Sequence, residues 1–188
     1  MSKTGTTAQR HKILCKHILY EIQMFRYSRK MWRTLPPNQA EVNLLIECFC
    51  LHARNLIDFF WKGERPGAKN AVARHFTDND NYTPFGGICP QKKTEGLYGK
   101  LNKQISHITY DRTDEDAKKL NPDNREFLYK MIEDEIENFR THIREPYTKY
   151  RDLYSEGDES LKLRTTPSSV TSQPYIVVSG GPLIKPQD

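Results

Sequence analysis

Cysteine is scarce in this sequence, and no two cysteines have the spacing of a redox or metal-binding motif. The four cysteines are Cys15, Cys48, Cys50 and Cys89, and none forms a CxxC pair. Cys48 and Cys50 point to different sides of one predicted helix, because a helix turns about 100° per residue. This pattern argues against a disulfide framework and indicates reduced, packed thiols of the kind found in cytosolic proteins.

Long apolar runs are missing as well. No run reaches the length that a bilayer-spanning helix requires, and the N-terminal residues MSKTGTTAQRHK lack the apolar core of a signal peptide. The cytoplasm is therefore the expected location. The charge balance is only mildly basic, with a formal net charge of +5 and scattered Lys and Arg residues. This charge is compatible with a nucleic-acid partner but does not identify one.

The common catalytic motifs do not occur. Gly86-Gly87 lacks the Lys and the helix that follow in a P-loop, and there is no GxSxG sequence. Neither HExxH nor a Glu-x-x-His motif on facing helices is present, although a metal site needs three or four converging ligands. The side chains available as ligands are those of Glu47, His52, Asp58 and His107. We expect no metal and no cofactor.

The strongest positive signal is a helical seam within residues 42–61, VNLLIECFCLHARNLIDFFW. Apolar or aromatic positions recur there at steps of three and four, at Val42, Leu45, Phe49, His52, Leu56 and Phe59. A second line on the same helix consists of Leu44, Cys48, Leu51, Asn55 and Asp58. A helix that is apolar over most of its circumference is typical of the middle of a bundle.

Three further helices are predicted around this one. Residues 8–35 contain no Pro or Gly, and Pro36-Pro37 ends that helix, so the next helix should return antiparallel to it. Residues 95–112 resume the helical pattern, and Asn121-Pro122 begins a last helix that extends to Ile143. On the last helix we expect Glu133, Asp134, Glu135 and Glu137 to form a solvated acidic face.

The fold prediction is an all-α protein. It is an antiparallel helical bundle of four main helices, with a long loop between helices two and three and a disordered C-terminal tail. The loop, residues 63–88, is rich in Gly, Pro, Asn and Asp, and we interpret it as a solvated insertion. Residues 1–154 form the predicted helical domain, and residues 155–188, rich in Ser, Thr, Pro and Gly, form the predicted flexible tail.

Two segments combine an apolar seam with a group of hydrogen-bonding residues, HARNLIDFF and NKQISHITYDR. The candidate polar cluster that they form consists of Arg54, Asn55, Asp58, His107, Asp111 and Arg112. Arg54 and Asp58 are four positions apart and can pair on one helical face. Burying such groups costs free energy unless they pair, so they either form a structural network or line a cleft.

One chemistry that these residue types allow is metal-independent RNA cleavage. A histidine such as His107 can move the proton of a 2′-hydroxyl, while Arg54, Asn55 or Arg112 holds the phosphate.

The two segments resemble those of a set of small bacterial all-α proteins without established function. More distantly, the arrangement resembles HEPN-type helical bundles, which include RNase toxins, abortive-infection proteins and non-catalytic RNA-binding members. The HEPN signature is an Arg, a polar residue, a few variable positions and a His. Arg54-Asn55 matches its beginning, whereas Phe59, Phe60 and Trp61 occupy the positions where the His is expected. The resemblance implies a helical fold, an RNA or protein partner and a homodimer, without the catalytic assignment.

The leading functional hypothesis is therefore a HEPN-like, non-catalytic interaction or RNA-binding domain. The first alternative is a metal-independent endoribonuclease of a defence or toxin system. The second is a purely structural or oligomerising bundle, in which the polar cluster only fixes the packing.

Overall fold

A computed structural model describes residues 5–34, 38–63, 70–78, 80–106 and 120–155. Contacts divide the chain into two units, Met1–Asp158 and Glu159–Asp188, and the second unit lies outside the described residues. The domain boundary after residue 154 and the disordered tail therefore stay predictions. The described residues are mostly helical and contain no strand, which confirms the all-α class.

The first helical segment is continuous but not uniform. It consists of α1 (Thr7–Lys12), a π-helical segment (Ile13–Ile18) and α2 (Leu19–Thr34). The predicted extent of this helix is confirmed, but the π-helical widening was not predicted. Within it, the carbonyl of Leu14 accepts hydrogen bonds from the Leu19 N–H and from the Tyr154 hydroxyl, the latter at 2.9 Å. The wider turn thus accommodates a side chain from the end of the described chain.

The central helix is α3 (Gln39–Trp61), capped by the Asn38 side chain, which accepts the Glu41 N–H at 3.0 Å. It contacts α2 and two helices that follow it in the chain, as expected for the middle helix. Phe49, on its predicted seam, is fully buried, and its ring centroid lies 4.9 Å from that of Phe25 and 4.9 Å from that of Trp32. This aromatic cluster joins α2 to α3.

The last long helix is α6 (Pro122–His142), which begins as predicted, with Asn121 as the cap and Pro122 in the first turn. It pairs with the basic side of α2: Arg26 contacts Glu133 and Arg29 contacts Glu126, both at 2.7 Å. The Arg29 bond lowers the pKa of Glu126. The prediction of a fully solvated acidic face is therefore wrong. Glu133 faces α2, and Glu135, considered below, is buried.

The connection between α3 and α6 contains several short elements. They are a 3₁₀ helix (Ala73–His75), a tight turn (Pro84–Gly87), α4 (Pro90–Lys93) and α5 (Leu97–Ser106). The interpretation of residues 63–88 as a solvated insertion is wrong for part of this segment, because seven of its nineteen described residues are buried. Its buried side chains are those of Val72, Ala73, Phe76, Thr77, Tyr82, Pro84 and Phe85.

A final 3₁₀ helix, Thr148–Tyr154, returns to α1. The hydroxyl of Tyr150 lies 2.9 Å from His11 Nδ1, and Tyr154 is 1% exposed. Within the described residues, no helix combines the length and apolarity needed to cross a membrane.

Candidate functional site

The structure describes half of the predicted polar cluster. Arg54, Asn55 and Asp58 lie on α3, whereas His107, Asp111 and Arg112 lie outside the described residues. The convergence of the two halves therefore stays a prediction. Two members of the described half, Asn55 and Asp58, belong to separate networks, one with α2 and one with α5.

The first network joins α3 to α2 through Glu21. The Glu21 carboxylate lies 2.6 Å from His52 Nδ1 and accepts a hydrogen bond from Asn55 Nδ2 at 3.1 Å. His52 is only 5% exposed, and the Tyr20 ring packs edge-on against it with the centroids 5.5 Å apart. The Nδ1 atom of this buried imidazole is therefore bonded within the protein.

The second network joins α3 to α5 through Asp58. Its carboxylate accepts the Tyr98 hydroxyl at 2.5 Å and contacts Lys62 Nζ, one turn further along α3, at 2.5 Å. Asp58 therefore pairs with Lys62 and Tyr98. Burial, together with the bond to Asp58, raises the pKa of Tyr98 to about 12. The packing of the two motif-bearing helices against each other is observed at this contact.

Replacing Tyr98 with Phe should lower the free energy of unfolding by about 1–2 kcal/mol, because a hydrogen bond to a charged acceptor is lost. Urea unfolding of the purified protein measures this loss. Tyr20→Phe is the matched control, because Tyr20 is 52% exposed and its hydroxyl makes no hydrogen bond within the described residues. An equal loss in the two variants would contradict the role of the bond to Asp58.

A third polar site, which the sequence analysis did not identify, is centred on Glu135 of α6. Glu135 is 3% exposed and accepts hydrogen bonds from the Tyr82 hydroxyl at 2.7 Å and the Phe85 N–H at 2.6 Å. Asn138 Nδ2 donates a further bond at 3.2 Å. Burial raises the pKa of Glu135, and burial beside this carboxylate also raises the pKa of Tyr82. Glu135 thus anchors the inter-helix connection to α6.

The anchored turn has an unusual backbone. Phe85, Gly86 and Gly87 all have positive φ angles, of 53°, 64° and 78°. This conformation costs a residue with a Cβ, such as Phe85, about 1–2 kcal/mol. The bond from the Phe85 N–H to Glu135 and the burial of the Phe85 ring, which is 3% exposed, offset that cost.

A groove with a volume of about 630 Å³ runs beside this turn. Its lining residues are Thr83, Phe85, Gly86, Lys93, Phe127, Lys130, Met131, Asp134, Glu135 and Asn138. The apolar part includes Phe127, which is 40% exposed, and the amino groups of Lys93 and Lys130 make no ion pair with any described residue. Its size is in the range of small-ligand sites.

The sequence does contain a pattern that indicates the burial of Glu135. It lies between Met131 and Phe139, four positions from each, and so it occupies the apolar seam of α6. A carboxylate at a seam position requires buried donors. Those donors, Tyr82 and Phe85, lie about fifty positions away, and no local pattern identifies them.

Metal ligands do not gather in the part of the chain that the structure describes: no group of three or more His, Cys, Asp or Glu side chains there could hold an ion. The buried thiol of Cys50 has its pKa raised to about 12 by burial, which makes it a poor nucleophile at neutral pH.

Comparisons of the chain with protein-family models, with curated proteins and with solved structures found no match.

Proposed function

We propose that the protein is a non-catalytic, RNA-binding domain of the HEPN-like kind, built as an antiparallel bundle of four main helices. The non-catalytic part of this proposal rests on one observation, which is that the polar side chains of the two α3 networks bond to other groups of the protein. General acid–base catalysis needs a group within hydrogen-bond reach of the substrate. His52 and Asn55 instead bond to Glu21, and Asp58 bonds to Tyr98 and Lys62.

The bundle arrangement has support from the order of contacts between helices. Glu21 meets His52, whereas Phe25, further along α2, meets Phe49, which comes earlier in α3. When residue numbers increase along one helix while those of their contacts decrease along the other, the two helices are antiparallel. The same order relates α2 to α6, where Arg26 contacts Glu133 and Arg29 contacts Glu126.

RNA binding has support from the distribution of charge. The net charge of the chain is +5, and residues 5–20 contain three Lys or Arg residues and no Asp or Glu. Positive charge that is not neutralised within the protein favours association with a phosphate backbone. RNA is therefore the partner that the charge distribution favours.

The test is to incubate the purified full chain with total RNA and to follow binding and cleavage together. We expect binding that weakens with added salt, because Lys and Arg contacts to phosphates release counterions. We expect the RNA to stay intact. Arg54→Ala should leave both observations unchanged.

Two results would contradict this proposal. Cleavage that disappears in both Arg54→Ala and His107→Ala would establish the endoribonuclease instead. Absence of both cleavage and binding would favour a structural or oligomerising bundle.

A further inference from the structure

The two ends of the described chain meet at one surface, and basic residues lie next to this contact in the sequence. His11 of α1 lies between two rings of the final turn, with centroid distances of 5.1 Å to Tyr147 and 5.6 Å to Tyr150. The His11–Tyr150 hydrogen bond of 2.9 Å closes this contact. Arg10 and Lys12 flank His11 in the sequence, and Lys149 precedes Tyr150, so the contact joins two segments that both carry positive charge.

We name this surface the basic face and define it by Arg10, His11, Lys12, Lys16, Lys149 and Tyr150. Lys12, Lys16 and Lys149 are exposed, and His11 and Tyr150 are half-buried. The segments 5–20 and 144–155 together contain six Lys or Arg residues and two acidic residues, Glu145 and Asp152. The Glu145 carboxylate accepts the Thr148 hydroxyl, and Asp152 acts electrostatically on Arg140. Among the described residues, neither carboxylate forms an ion pair with a lysine of the basic face.

The cations of the basic face differ from those of α2. Arg26 and Arg29 of α2 have their charges matched by carboxylates of α6. Arg10, Lys12, Lys16 and Lys149 have no ion pair with any described residue. Among the described residues, the buried Nε atom of Arg10 has no hydrogen-bond partner. The charges of Lys12, Lys16 and Lys149, which are exposed, are available to a partner.

The rings of the basic face indicate what that partner is. Lys149 Nζ lies 5.3 Å from the centroid of the Tyr150 ring, and the His11 ring adjoins that ring. Aromatic side chains interspersed with cations are typical of surfaces that bind single strands, because bases stack on the rings while the cations contact phosphates. A double-stranded partner would not present its bases for stacking.

A membrane surface fits less well. Binding to an anionic bilayer in this way requires large apolar side chains next to the cations. Among the described residues, the exposed large hydrophobic side chains are those of Tyr20, Leu44, Leu51, Ile88 and Phe127. None belongs to the basic face, and Tyr20, one turn beyond Lys16, is the only one close to it in sequence.

We propose that the basic face is the surface on which this protein binds single-stranded RNA, with Lys12, Lys16 and Lys149 contacting phosphates and His11 and Tyr150 contacting bases. This inference rests on the proposed RNA-binding function and specifies its location. It places the nucleic acid away from the α3 networks, on the surface that joins α1 to the final turn.

The experiment measures the fluorescence anisotropy of a short labelled single-stranded RNA with the full chain over a range of salt concentrations. Lys12→Ala/Lys149→Ala should weaken binding about tenfold or more at low salt. It should also reduce the slope of log K against log salt by about 1.4, since each phosphate contact to a single strand contributes about 0.7. Lys30→Ala/Lys92→Ala is the control of equal charge, because Lys30 lies about 27 Å along the helix from Lys12.

The outcomes separate this inference from the function on which it rests. Equal weakening in the two double variants would overturn the basic face and leave RNA binding standing. No binding of RNA by the unmodified chain would overturn both. If that chain then bound vesicles of anionic phospholipid through Lys12 and Lys149, the basic face would be a membrane-binding surface instead. Thermal unfolding followed by circular dichroism confirms that each variant is folded, because replacing an exposed lysine with alanine changes stability only slightly.

Discussion

Replacing Glu135 with Leu should lower the free energy of unfolding by about 2–5 kcal/mol. The reason is that the Tyr82 hydroxyl and the Phe85 N–H, both buried, lose their acceptor, and each orphaned donor costs about 1–3 kcal/mol. The turn at Phe85 also loses the bond that offsets its positive φ angle. Urea unfolding measures the global loss, and hydrogen exchange at residues 80–88 measures the release of the turn.

Glu137→Leu is the matched control for this prediction. Glu137 lies two positions further along α6, but its side chain is 55% exposed, and among the described residues it forms an ion pair only with Arg140, on the surface. Such pairs contribute about 0–1 kcal/mol. If the two variants lost the same stability, or if exchange at residues 80–88 did not change in Glu135→Leu, the anchoring role of Glu135 would be wrong.

The same residue should leave a signature in the pH dependence of stability. Burial raises the pKa of Glu135 above its ordinary value of 4.5, so the folded protein retains a proton that the unfolded chain releases. Its contribution to stability is therefore complete below the unfolded pKa and is lost as the pH rises through the folded pKa. The difference in stability between the unmodified chain and Glu135→Leu should decrease across that interval, and a constant difference would contradict the raised pKa.

Replacing Phe49 with Ala should lower the free energy of unfolding by about 3–5 kcal/mol, the usual cost of removing a buried aromatic ring. Phe49 is fully buried, with one ring stacked on it and another packed edge-on, so the neighbouring side chains cannot fill the space. Stability differences of this size are large compared with the whole stability of a domain, about 5–15 kcal/mol. Chemical unfolding at equilibrium measures the loss.

Leu44→Ala provides the control on the same helix. Leu44 is 66% exposed, so its truncation should change stability by no more than about 0.5 kcal/mol. A large loss in Leu44→Ala would mean that this side of α3 is covered. A small loss in Phe49→Ala would contradict the packing of α2 on α3.

Local patterns in the sequence predicted much of the helical structure. The three- and four-residue spacing around Phe49 identified the buried side of α3, and Asn121-Pro122 identified the start of α6. These features depend on near neighbours in the chain, and for that reason a sequence displays them. The chain reversal at Pro36-Pro37 falls outside the described residues.

Contacts between distant segments were harder to predict. Helical spacing identifies Arg54, four positions away, as a possible partner of Asp58, but it does not indicate the bond from Asp58 to Tyr98, forty positions away. The composition of residues 63–88 is typical of turns and predicts a solvated segment. Tyr82 and Phe85 are buried nevertheless, because Glu135 supplies an acceptor in the interior of the protein. No rule of local spacing connects a carboxylate on one helix to a turn so far from it.

The contact between the π-helical segment and Tyr154 has a consequence for the order of events during synthesis. The Tyr154 hydroxyl bonds to the Leu14 carbonyl across 140 positions of the chain, and Tyr150 meets His11 across 139. During synthesis, part of the apolar side of this helix therefore stays uncovered until nearly all of the described chain has followed. Closing so long a loop is slow, and surface exposed in the meantime promotes aggregation. We expect nascent chains that stop before residue 147 to depend on chaperones, and chains that extend past residue 155 to be released from them.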